Sequence, residues 1–182
     1  MPKIASGLFY EAWLETANEQ REILQNKWRN NKEFTNLIFH SEDFFLKGVA
    51  NKLELLCYSK NYYSVDAIFY TEDDLVPRLK ESNYWFRNIR IAFEHENNFN
   101  SGLHQEVSHL LILNSELKVL VTYPVNDKGE EEVLSWLHDI IKGTPLSEKL
   151  CEEESFLIIL GYENNFKWKG LVYKTENWKT LG

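Results

Sequence analysis

Residues 88–96, NIRIAFEHE, alternate so regularly that they admit one reading, a β-strand with two unlike faces. Ile89, Ile91, Phe93 and His95 fall on one side, and Arg90, Ala92, Glu94 and Glu96 on the other. Such a strand needs a sheet to pair in and helices to cover its apolar side, and the flanking sequence predicts both. Residues 8–28 space Leu8, Trp13, Leu14, Ile23, Leu24 and Trp28 helically until Asn30 and Asn31 interrupt. A second helix is expected from Glu42 and Asp43, capped by Ser41 and running through Phe44, Phe45, Val49, Leu53 and Leu56. Residues 62–70, YYSVDAIFY, have strand composition, and 75–85 fit either a short helix or a long turn.

Downstream, residues 103–114 predict a helix with Leu103, Val107, Leu110 and Leu111 inward, and 117–123 a buried strand stopped by Pro124. A helix over 130–142 and closing strands at 156–160 and 168–173, paired about a loop at 163–165, complete the chain. The expected class is α/β (α+β): one domain over residues 1–182 with a mixed sheet flanked by helices. Within it, 1–40 read as an N-terminal helical extension, 41–124 as the core, and 125–182 as a helix plus closing strands.

The chain has 182 residues, enough for a substantial core without staples, and a formal charge of −8, which excludes a uniformly basic nucleic-acid coat. Cys57 and Cys151 are too few for a disulfide framework and fit a reducing cytoplasm. The apolar runs are strand-sized, so no membrane span is expected.

Glu94 and Glu96 share a strand face with Cα atoms about 6.5–7 Å apart. Such a pair repels itself unless solvated or bridged by a cation, and a hard ion such as Mg²⁺ takes oxygen ligands. Asp66 is a lone acid in an apolar strand, where an ionised carboxylate is costly unless paired or metal-bound. If the two strands are neighbours, Asp66, Glu94 and Glu96 converge on one end of a sheet. Glu96 is equally the solvated end of a strand beside an Asn-rich turn.

An Asp strand (SVDAIFY), a Glu-x-Glu strand (IAFEHEN), an amphipathic helix (LHQEVSHLLILN) and a buried strand (LKVLVTYP) together resemble the PD-(D/E)XK nuclease superfamily over residues 42–124. The resemblance implies a restriction-endonuclease-like fold and a Mg²⁺- or Mn²⁺-dependent endonuclease. It makes Asp66 and Glu94 metal ligands and sets Glu96, as a third catalytic residue, where the family has lysine. Lys118 is a candidate substitute for that lysine, and Glu42 is either an exposed acid that favours its helix dipole or a counterpart of the family's first-helix glutamate.

His95 faces away from the acids and reads as a core residue, and His104 and His109 are poorly spaced to act as a ligand pair. Gln105 is either an ordinary surface glutamine, the default for its type, or placed to touch a phosphate or base. Arg78, Lys80, Arg87 and Arg90 form one basic patch. Lys167, Lys169, Lys174 and Lys179, interleaved with Trp168, Tyr173 and Trp178, form another that suits either nucleic acid or a solvated hairpin. The expected function is therefore a nuclease-like phosphodiesterase acting on nucleic acid, with a homodimer permitted. The alternative is a non-cutting binding protein on the same fold, acting through a protein partner.

Overall fold

The computed structural model describes residues 3–28, 30–78, 83–124 and 129–182. The alternating segment forms β3 (Ile91–Glu96), third in a seven-stranded sheet whose strands keep the order of the chain. β1 (Leu56–Tyr58), β2 (Ala67–Tyr70) and β3 are an antiparallel meander. β4 (Leu117–Thr122) and β5 (Phe156–Tyr162) continue parallel to β3, and β6 (Lys167–Tyr173) and β7 (Trp178–Thr180) return antiparallel. Parallel neighbours need crossovers. α5 (Leu103–Ile112) links β3 to β4, and α6 (Glu130–Lys142) with α7 (Ser147–Glu152) links β4 to β5.

Both crossovers pack on the sheet face carrying Ile68, Ala92, Leu120 and Ile158. The opposite face, with Phe69, Phe93, Val121 and Ile159, is covered by α1 (Ser6–Glu19), α2 (Arg21–Lys27), α3 (Asn31–Phe39) and α4 (Phe45–Lys52). Trp13 is the centre of that second layer, its ring 4.6 Å from Phe45 and 5.3 Å from Trp168. The chain is thus one α+β domain with a mixed sheet between helices. No described helix is long and apolar enough to cross a membrane.

Several boundaries differ from the sequence expectation. Asn30 caps a helix rather than interrupting one, accepting from Glu33 N at 3.2 Å to start α3. Helix α4 begins at Phe45, not at Glu42, and Ser41 Oγ donates back to Leu37 O. It ends at Lys52 because Glu54 turns left-handed (φ 55°). Leu55 N then reaches Ala50 O and Glu54 N reaches Asn51 O, a Schellman stop built without glycine. Leu56, expected in that helix, starts β1 instead.

Strand β2 is shorter than residues 62–70, because Tyr62 and Val65 close a tight turn with Tyr63 and Ser64 both at positive φ. Glu154 repeats the device of Glu54 after α7, a helix whose six residues are too few to register a period. Over 75–85 the described residues hold no helix. Leu75 bridges to Phe86, while Lys80 and Glu81 lie outside the described residues.

Candidate metal centre

Because Ala67 pairs with Phe93, Asp66 lies beside Glu94 on the face that α5 covers. Asp66 N donates to Glu94 Oε2 (3.1 Å), and Asp66 Oδ2 accepts from His95 N (2.9 Å). These two bonds splice the end of β2 to β3 through side chains. From above, α5 lowers two further donors one turn apart. His109 Nδ1 sits 3.2 Å from Glu94 Oε1 and 3.4 Å from Glu106 Oε2.

One ligand atom each from Glu94, Glu106 and His109 lies within 4.8 Å of the others, a spacing that can enclose a metal ion. Glu94 is 0% exposed, whereas the side chains of Glu106 and His109 are 20% and 34% exposed, so the cluster opens to solvent along α5.

The electrostatics are those of carboxyls crowded together in a buried site. Burial, then the neighbouring carboxylates of Asp66 and Glu106, push the Glu94 carboxyl up to about 10. Asp66 is raised as well, chiefly by burial and against the His95 N–H that favours its ionised form. A proton on Glu94 therefore fills the role a cation would take. Two carboxylates and an imidazole are a donor set for a divalent ion, and the imidazole favours Mn²⁺ or a later metal over Mg²⁺.

Asp66 and Glu94 are brought together as the spacing predicts. Glu96 shares their face, but its Oε1 accepts from Asn98 N at 2.6 Å, turning the carboxylate into the following loop. Gly102 makes room for it: a Cβ there would stand 3.1 Å from Glu96 Oε2, and the φ of 90° already favours glycine. His95 packs on the other face as expected. It lies against Phe34 and Phe39, within 2.7 Å of the Tyr123 hydroxyl, with burial pushing its imidazole down to about 3.

Lys118 does not supply the missing cation. Its ammonium donates to Leu113 O (2.6 Å) and Ser115 Oγ (2.9 Å), and burial lowers it to about 8. Glu42 is in an exposed turn, and Gln105 is on the exposed side of α5. Glu106 and His109 are the residues the sequence reading missed. Their signal is Glu-x-x-His, an i, i+3 pair on one helix face.

The basic patches are largely spent on structure. Arg90 Nε is 2.9 Å from Asp74 Oδ2, and its Nη1 is 2.9 Å from Glu116 Oε1. Asp74 also accepts from Thr71 and Asn88, and these donors hold its carboxyl well below the ordinary range despite burial. Lys169 pairs with Glu130, and Lys174 and Lys179 pair with Glu154. Trp168 and Tyr173 are core residues rather than stacking surfaces. Burial also pushes the Cys57 thiol far up, away from a nucleophile's range.

Compared with models of known protein families, with curated proteins and with solved structures, the chain matches none.

Proposed function

We propose that this protein is a divalent-metal-dependent phosphodiesterase acting on nucleic acid in a reducing, cytoplasmic compartment. The observation that carries the reading is Glu94, a wholly buried carboxyl between Asp66, Glu106 and His109. Glu94, Glu106 and His109 would hold Mn²⁺ or Mg²⁺, and Asp66, expected as a ligand, instead sits beside Glu94 with its backbone N–H on Glu94 Oε2 and its carboxylate on His95 N. When bound, the metal would lower the pKa of a coordinated water and neutralise charge on a phosphodiester.

The chain's own residues set up that chemistry. His95 N–H fixes the Asp66 carboxylate, Asp66 N–H fixes Glu94, and the partly exposed rim of Glu106 and His109 leaves an approach for a phosphate. Glu96, engaged with its loop, has no first claim on the ion. The order of Asp strand, Glu-x-Glu strand, helix and strand is in keeping with the PD-(D/E)XK resemblance. A homodimer would suit the cutting of both strands of a duplex.

One observation favours a second reading, a non-cutting protein that acts through a protein partner. Lys118 is drawn away to Leu113 O, and Lys169, Lys174 and Lys179 are all held by carboxylates. Calorimetric titration of Mn²⁺ and Mg²⁺ into wild type and Glu94→Gln, with cleavage assays on the same samples, separates the two. Metal binding and cleavage in wild type, both lost in Glu94→Gln, support the enzyme. Metal binding without cleavage of any nucleic acid supports the partner protein. Equal titrations for the two proteins would overturn the metal centre.

A further inference from the structure

Beside the carboxylate cluster, on the same face of the sheet, lies an aromatic surface. Tyr58 is cross-strand from Ile68, and with Tyr62, Tyr70 and Phe86 it forms a layer with ring centroids 4.9–6.4 Å apart. Two rings stand outside that layer. Tyr63 is 66% exposed and Trp85 is 51% exposed, with 6.2 Å between their centroids. Both are displayed from fixed backbone.

Trp85 O accepts from Val76 N (2.8 Å), and Arg87 N donates to Asp74 O (2.8 Å), so the segment is tied to the buried Asp74–Arg90 pair. Tyr63 is at the tip of the turn closed by Val65 N and Tyr62 O (3.1 Å), with φ of 50° at Tyr63 and 69° at Ser64. Positive φ at both central residues is the preference of Asn-Gly, and an aromatic there is disfavoured. Asn61 Oδ1, accepting from Ser64 N at 3.0 Å, helps hold it. The strained turn holds Tyr63 edge-on to Tyr62, ring centroids 4.9 Å apart, with most of its ring still open to solvent.

Tyr63 is three residues before Asp66, at most about 10 Å along the chain. Lys60, three residues before Tyr63, and Arg78, two residues beyond the Val76 that pairs with Trp85, are exposed and have no ion-pair partner among the described residues, and the Arg87 guanidinium rests on the Asp73 carbonyl rather than on a carboxylate. Glu72 and Asp73, in the same stretch of chain, are exposed acids. Exposed rings with scattered cations suit unstacked bases, whereas a duplex needs an uninterrupted basic face. Resting on the metal-centre reading above, we infer that the substrate is a single-stranded nucleic acid. Its bases stack on Tyr63 and Trp85 while an adjoining phosphodiester lies at Asp66, Glu94, Glu106 and His109.

The test is fluorescence anisotropy of a labelled oligothymidine, and of a duplex of equal length, with wild type, Tyr63→Ala, Trp85→Ala, Tyr63→Phe and Trp85→Phe. Circular dichroism establishes folding, and Mn²⁺ calorimetry runs on the same samples. The single strand should bind in preference to the duplex. Each alanine variant should weaken binding about tenfold and each phenylalanine variant should restore most of it, with Mn²⁺ binding unchanged. Alanine variants that bind as wild type would overturn the inference while leaving the metal centre intact. So would variants that alter only the oligomeric state, which would assign the rings to a second copy of the chain. If Mn²⁺ fails to bind but the alanine variants still lose the oligonucleotide, the aromatic platform stands and the metal centre falls.

Discussion

Replacing Glu94 by glutamine examines the metal centre without any substrate. Glu94 is wholly buried, and its carboxyl stands near 10 instead of the ordinary 4.5, through burial and then Asp66 and Glu106. The folded chain keeps that proton across neutral pH, while the unfolded chain releases it above 4.5. The folded state binds the extra proton, so this residue's contribution to stability falls as pH rises, by about 1.4 kcal/mol per pH unit. At pH 7 the loss relative to acid conditions is about 3 kcal/mol, a large part of a typical domain's total.

Glutamine keeps the shape and much of the hydrogen bonding but cannot ionise. Urea unfolding of both proteins from about pH 5 to about pH 8, in chelator, reads the Glu94 cluster, because the difference between them cancels the titrating groups that do not touch Glu94. The wild type should lose about 4 kcal/mol relative to Glu94→Gln across that range. Excess Mn²⁺ should then stabilise the wild type increasingly as pH rises, since the ion displaces a proton, and should leave the variant unmoved. Parallel pH profiles, or an equal Mn²⁺ response in both, would refute the reasoning.

His109→Ala should weaken Mn²⁺ binding at least about tenfold and narrow the preference for Mn²⁺ over Mg²⁺, read by calorimetry, with little change in melting temperature because the imidazole is partly exposed. Asp74→Ala should destabilise by about 3 kcal/mol, since it strands the Arg90 guanidinium in a largely buried site; a urea midpoint unchanged from wild type would contradict this. Asp74 also predicts acid lability. Its carboxyl is depressed in the fold, so its contribution is present above the ordinary aspartate range and lost as pH falls below it, and Asp74→Asn should flatten that limb. Glu54→Gly should stabilise by about 1 kcal/mol, because the left-handed position that ends α4 favours glycine and the Glu54 side chain is exposed. Chemical denaturation measures it.

Wherever a local period decided the structure, the sequence was legible. The alternation of residues 88–96 separates His95 from Glu94, and the two residues do lie on opposite sheet faces, one among Phe34 and Phe39 and the other beneath α5. The helix over Glu130–Lys142 has the bounds its apolar spacing implies. Asp66 and Glu94 were identifiable as partners because an acid inside an apolar strand demands compensation. The stops after α4 and α7 were not legible, because each puts a glutamate where glycine normally signals a helix end, and the strand that follows draws the chain out.

The rest of the metal centre also waited on tertiary structure. Nothing in strand spacing says that α5 crosses above β3 with Glu106 and His109 pointing down, or that Lys118 turns toward Leu113 O. Nor does charge counting along the chain show that Arg90, Lys169, Lys174 and Lys179 already have carboxylate partners. Which face a side chain occupies follows from the geometry of its own element. Which side chains share a site follows from the packing of elements distant in sequence: burial beside other carboxyls raises the Glu94 carboxyl, while the donors of Arg90, Asn88 and Thr71 hold that of Asp74 down against its burial.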